Sequence, residues 1–139
     1  MFDETPYLGD KGYCPNRRPL STYAAMITRM DSKVGMILEK LEELGLDENT
    51  IVMFSSDNGT TFNGGVNAGY FNSTDGLRGL KTDVYEGGIR MPFIARWPAR
   101  IKPGTVTEHI SAQYDVYATF KEIAGESTPY YTDGIYTPG

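Results

Sequence analysis

From Tyr23 onward, apolar side chains recur at positions 23, 27, 30, 34, 37, 41 and 44. Alternating steps of four and three are the signature of one face of an α-helix. Ser21 or Thr22 is placed to cap its start, and Gly45 to stop it. The other face carries Arg29, Lys33, Glu39, Lys40, Glu42 and Glu43, so the helix should lie along a core with one side in water. A coiled coil is the competing reading. The repeat covers only about three heptads, and the apolar run that follows directly favours packing against a sheet.

That run, Ile51 to Phe54, fits a strand covered on both faces. Helix, tight turn and buried strand make half of a right-handed crossover unit. Residues 59 to 80, rich in Gly, Asn, Ser and Thr, form too long a connection to be ordinary and read as a disordered or functional loop. The segment 89 to 97, IRMPFIARW, predicts a second strand in which Pro92 demands an edge, a bulge or a strand start. A turn-rich link leads to a second helix that opens at Asp115 or Gln113. Its apolar positions are 116, 117, 120, 123 and 124, and Gly125 closes it. The expected organisation is an irregular lead-in over 1–19, a helix–strand–loop–strand–helix core over 22–125, and a loop tail over 126–139. Two helices and two strands do not close a core, so the strands expect neighbours from outside the chain or from another molecule.

Composition narrows the setting without naming a chemistry. The 139 residues fit one modest domain, and 16 glycines with 8 prolines make it loop-rich. A net charge of -5 with 13 scattered basic residues argues against nucleic acid or an anionic membrane as the main partner. Cys14 is the only cysteine, so no intrachain disulfide forms. The chain as given shows neither a long apolar run nor a secretory leader.

The candidate chemistry lies in two stretches. In FSSDNGTTFNGG, Asp57 and Asn58 follow the expected strand's carboxyl end, where open α/β sheets gather ligands. Both are oxygen donors suited to a hard divalent cation. Asp-Asn-Gly is equally a common turn, and two donors fall short of a calcium shell. In LRGLKTDVYEGGIRMP, Lys81 sits between glycines that permit close backbone approach and offers charge-assisted donors to a tetrahedral oxyanion. The plain alternative is an exposed loop lysine. Arg78 and Arg90 are similar candidates, or they pair with Glu86, Asp83 or a neighbouring carboxylate to hold the loop, while Glu86 either supports the site or orders the loop. His109 is the single histidine, which excludes a multi-histidine zinc site within the chain. Two sequons, at Asn58 and Asn72, matter only in a glycosylating compartment.

Three blocks in order, from YAAMITRMDSKVGMILEKLEELGLDENTIVMFSSDNG through LRGLKTDVYEGGIRMPFIARWP to YDVYATFKEIAG and TDGI, closely resemble the later half of the catalytic domain of formylglycine-dependent, arylsulfatase-like sulfatases. The resemblance implies an α/β, alkaline-phosphatase-like sulfatase fold, partial because the N-terminal half is lacking. It implies sulfate-ester hydrolysis of an aryl or carbohydrate substrate around calcium, with Asp57 and Asn58 as metal ligands and Lys81 on the sulfate oxygens. Asn58, where phosphatase-like relatives commonly have histidine, favours the one-calcium sulfatase type. Glu86 and Arg90 would lend structural support, the missing half-domain would be a partner, and the intact protein would be periplasmic or secreted. The nucleophile motif Cys-x-Pro/Ala-x-Arg is absent: Cys14 is followed by Pro15 and then Asn16, and it lies just before the long helix. Formylglycine is therefore not encoded here, and the isolated chain is expected to be inactive. The alternative is a fragment or complementing subunit that keeps part of the fold and of the calcium site.

Overall fold

The computed structural model describes residues 2–126. The expected loop tail from residue 127, with its Thr-Asp-Gly-Ile, lies outside the described residues. The chain divides into two compact units, Met1–Trp97 and Pro98–Gly139.

In the first unit, helix α1 spans Pro19–Glu43. It starts earlier than the Ser21 or Thr22 cap predicts, and Arg18 at the cap position makes no side-chain cap bond. Pro19 takes the first helical position, where its fixed φ fits and its missing N–H costs nothing. The orphan amides find a distant acceptor instead. The Glu4 carboxylate accepts from the Leu20 amide at 2.7 Å, from the Ser21 amide at 3.1 Å, and from the Ser21 hydroxyl. Local spacing cannot reveal a cap borrowed from the lead-in. Partial desolvation pushes the Glu4 carboxyl up, but the Ser21 hydroxyl, the two amides and the Arg18 charge outweigh it, leaving the group below its ordinary value. The lead-in is itself closed by a backbone pair, Tyr7 N to Asn16 O at 2.8 Å and Asn16 N to Tyr7 O at 2.9 Å. Gly45, at φ 65°, ends the helix as its position predicts.

A 3-10 turn, Asp47–Asn49, leads into strand β1, Val52–Ser55. Strand β2, Phe93–Arg96, pairs with it antiparallel in the register Val52↔Arg96 to Ser55↔Phe93. The sequence leaves the direction of this pairing open, because an apolar run carries no information about strand direction. Pro92, which has no amide to donate, stands just before β2 as a strand start requires. The second strand, expected over 89 to 97, is shorter than that span, because Ile89 closes a short helix, α2, Glu86–Ile89. Arg96 ties β2 to the preceding turn and helix, its guanidinium lying 3.5 Å from Asp47 and 3.7 Å from Glu42.

All four β1 residues are half-buried, not enclosed on both faces as expected. The α1 stripe is equally open, with Ile27, Met30, Ile37 and Leu44 all exposed. Among the described residues the buried apolar set is Tyr7, Leu20 and Ala118.

In the second unit, helix α3 spans Asp115–Ile123. Asp115 Oδ2 accepts from the Ala112 amide at 2.7 Å. Its buried face is Asp115, Ala118 and Thr119, whereas Tyr117, Phe120 and Ile123 of the predicted apolar face are exposed.

Candidate functional site

β1 ends at Ser55, and the next five residues turn back through Asp57, Asn58 and Gly59. Ser56 Oγ donates to the Asn58 carbonyl at 2.8 Å, and the Asn58 side-chain nitrogen donates to the Gly59 carbonyl at 3.0 Å. The second bond fixes the amide's orientation: its nitrogen is engaged and its Oδ1 is left as an acceptor. Asp57 is exposed.

The glycine-rich block is joined to this turn by backbone. The Gly59 amide donates to the Gly88 carbonyl and the Lys81 amide to the Thr60 carbonyl, both at 2.8 Å. The Gly87 amide donates to the Arg78 carbonyl at 2.7 Å, folding the block on itself. The approach is too close for side chains. A Cβ on Gly59 would lie 2.0 Å from the Gly87 oxygen, one on Gly87 2.1 Å from the Gly79 oxygen, and one on Gly88 2.2 Å from the Asp83 oxygen. Glycine at these three positions is what lets the acid–amide turn and the lysine block meet.

Asp57, Asn58 and Lys81 are thus drawn into one local structure, although they stand 24 positions apart at the widest. Lys81 is half-buried. Arg90 pairs with Glu86 at 2.7 Å across one turn of α2, the ordinary loop-holding arrangement. Arg78 pairs with neither Glu86 nor Asp83. It lies 3.7 Å from the centre of the Tyr85 ring and donates to the Tyr85 hydroxyl at 2.8 Å. His109 is exposed in the second unit, and Cys14 is exposed in the lead-in.

Sequence reasoning passed over Thr60. Its Oγ1 is buried without a hydrogen-bond partner, and its carbonyl anchors Lys81. Nothing in a Thr-Thr pair after a glycine signals that. Among the described residues, no three His, Cys, Asp or Glu side chains gather into a metal centre. The oxygen donors on this turn are one carboxylate and one amide. They fit a hard cation in kind but do not fill its shell.

An acid–amide turn at a strand's carboxyl end, locked to a glycine-rich lysine block, stands where α/β folds gather ligands. Residues 3–126 match the family described as Sulfatase, and the chain belongs to that family, within the alkaline-phosphatase-like superfamily. It is 34% identical over 116 residues to an N-acetylgalactosamine-6-O-sulfatase of Bacteroides thetaiotaomicron, covering 79% of this chain and 22% of that protein. It is 38% identical over 109 residues to the steryl-sulfatase of Rattus norvegicus, covering 77% of this chain and 19% of that protein. The crystal structure of Ps i-CgsB in complex with k-i-k-neocarrahexaose superposes with a TM-score of 0.72 at 32% identity, over 82% of this chain and 24% of that one. The chain therefore spans about a fifth of the length of the relatives it matches. No helix among the described residues is long and apolar enough to cross a membrane.

Proposed function

We propose that this chain is the later part of a calcium-dependent sulfatase domain that hydrolyses sulfate monoesters of an aryl or carbohydrate alcohol. The observation that carries the reading is the pair of backbone bonds, Gly59 to Gly88 and Lys81 to Thr60, that holds the Asp57–Asn58 turn against the lysine block. Asp57 through its carboxylate and Asn58 through Oδ1 would hold calcium, with further ligands from outside this chain. Bound there, the cation supplies positive charge for the sulfuryl oxygens.

Lys81 directs its ammonium to those same oxygens and stabilises the charge that grows on them as the ester bond breaks. Its backbone bond to Thr60 fixes where its side chain begins. The Glu86–Arg90 pair steadies the Gly87–Gly88 turn that Gly59 leans on. The residue the reaction needs as nucleophile is not encoded here. Cys14 does not fit the motif, because Asn16 stands at its Pro/Ala position and pairs through its backbone with Tyr7.

The open apolar surfaces belong to the same reading. Ile27 and Ile37 on α1, Leu44 just past its end, and Phe93 and Ile94 on β2 are between 43% and 61% exposed. Burying such a side chain is worth about 1.5–3 kcal/mol, and the matched relatives are several times longer than this chain. The occupant we assign to these surfaces is the missing N-terminal half of the domain. The intact protein would act in the periplasm or outside the cell.

The test joins this segment to the remainder of a sulfatase domain, in place of the matched segment of the Bacteroides enzyme, and follows sulfate release. Chelation should abolish turnover and calcium should restore it. Full turnover by the chelated protein would remove calcium from the account.

A further inference from the structure

Thr82, next to Lys81, has φ 80°. Of the three described non-glycine residues with positive φ it alone is β-branched; the others, Asn72 and Asp75, are of types that tolerate the left-handed region. A threonine stays there only where its surroundings impose it. We propose that Asp83 imposes it and is thereby a positioning residue for Lys81: its carboxylate closes the turn over 80–83 and fixes the direction in which the Lys81 side chain leaves the backbone. The inference rests on the assignment of Lys81 to the sulfate oxygens and adds to it the group that aims the lysine.

Hydrogen bonds are the first argument. The Asp83 amide donates to the Leu80 carbonyl and the Leu80 amide donates to Asp83 Oδ2, both at 2.9 Å. This reciprocal pair closes a four-residue turn from both ends, with Lys81 and Thr82 at its centre. A turn whose third residue has φ near +80° is of type II, and that position ordinarily takes glycine. The Lys81 amide meanwhile donates to the Thr60 carbonyl at 2.8 Å. The lysine backbone is thus held from one side by Thr60 and from the other by the turn that Asp83 closes.

Packing is the second. A Cβ on Gly79 would lie 3.2 Å from Asp83 Cβ and 3.4 Å from its Oδ2, and one on Gly88 would lie 2.5 Å from the Leu80 oxygen as well as 2.2 Å from that of Asp83. The turn is therefore wedged between two glycines. One of them, Gly88, also accepts from the Gly59 amide of the acid–amide turn, so the segment that bears Lys81 and the segment that bears Asp57 rest on the same residue.

Charge is the third. A carboxylate two residues from a lysine that meets an anion would compete for its ammonium. Asp83 Oδ2 is engaged by the Leu80 amide, and among the described residues no ion pair joins Asp83 to Lys81. The carboxylate serves the backbone and leaves the ammonium to the anion.

Hydrogen exchange on the full chain, followed by NMR, reads the geometry without turnover. Asp83→Ala should speed exchange of the Lys81 amide at least about fivefold, because the turn behind it opens. Asp83→Asn, which keeps an oxygen for the Leu80 amide, should leave it near wild type. Adding Thr82→Gly to Asp83→Ala should restore protection, since glycine takes the left-handed φ unaided. Lys81 exchange that ignores Asp83→Ala, or that responds equally to Asp83→Asn, would overturn the proposal. Function is read in the chimera with the Bacteroides enzyme. There Asp83→Ala should lower kcat about tenfold or more. In a Lys81→Ala background it should lower kcat by less than about twofold, because a group that acts through the lysine then has nothing to aim. Equal losses in both backgrounds would mark a merely structural role and overturn the proposal. An impaired Lys81→Ala beside a fully active Asp83→Ala would overturn it too, whereas wild-type turnover by Lys81→Ala would contradict the sulfate assignment itself.

Discussion

Gly59 and Gly88 are joined by a 2.8 Å backbone hydrogen bond, with the Gly87 oxygen standing where a Gly59 side chain would begin. This contact joins two stretches that are each ordinary alone. Gly59→Ala should cost about 1–3 kcal/mol of stability by forcing the two backbones apart. Gly76→Ala, where a Cβ meets nothing within 4 Å, should cost only the strain of its positive φ, about 1–2 kcal/mol. Chemical denaturation measures both. The discriminating readout is the NMR shift of Lys81, which Gly59→Ala should move and Gly76→Ala should not.

Glu4 ties the lead-in to the start of α1, and its carboxyl sits below its ordinary value. A depressed carboxyl contributes stability above its unfolded-state pKa, and this is lost as pH falls through the lower folded-state value. Helix α1 in the wild type should therefore loosen at its first turn as the solution is taken below about pH 4.5. Glu4→Gln should flatten that dependence while leaving an oxygen for the amides. Hydrogen exchange at Leu20 and Ser21 across the acid range checks it.

The exposed α1 stripe leads to a context-dependent prediction. Ile37→Lys should change the stability of the isolated chain by no more than about 0.5 kcal/mol, as at a surface position. In the completed domain the same substitution should cost several-fold more, on the order of 2–4 kcal/mol, because the lysine is then trapped against apolar neighbours. Comparing the two melting midpoints tests whether the rest of the domain covers that face.

The Glu86–Arg90 pair is more than half exposed on both sides. Arg90→Ala should cost at most about 0.5 kcal/mol in denaturation. Any larger loss of calcium or sulfate binding would show that the pair positions the Gly87–Gly88 turn and does not merely decorate it.

The sequence made some of this legible and concealed the rest for identifiable reasons. The four-and-three spacing from Tyr23 to Leu44 located α1, and Gly45 marked its end, because both depend on residues near in sequence. The true start was hidden, since its capping acceptor is Glu4, 16 positions from Leu20. The apolar run at Ile51 found β1 and the segment 89–97 contained β2, but neither showed their antiparallel pairing, which only the register of Val52–Ser55 with Phe93–Arg96 decides. In α3 the expected apolar face is open at Tyr117, Phe120 and Ile123, and Asp115, Ala118 and Thr119 are buried instead. Asp57, Asn58 and Lys81 were visible as donors. Their convergence was not, because it runs through backbone bonds between glycines that carry no side-chain signal.

The central claim is that Asp57 and Lys81 serve one sulfate-handling site. It is tested most directly by kcat/KM for a sulfated sugar in the chimera, with residues 3–126 as wild type, Asp57→Ala or Lys81→Ala. The account predicts that the wild-type segment supports turnover and that each substitution lowers it by about 10²-fold or more. Either variant turning over within about twofold of the wild-type segment would contradict it.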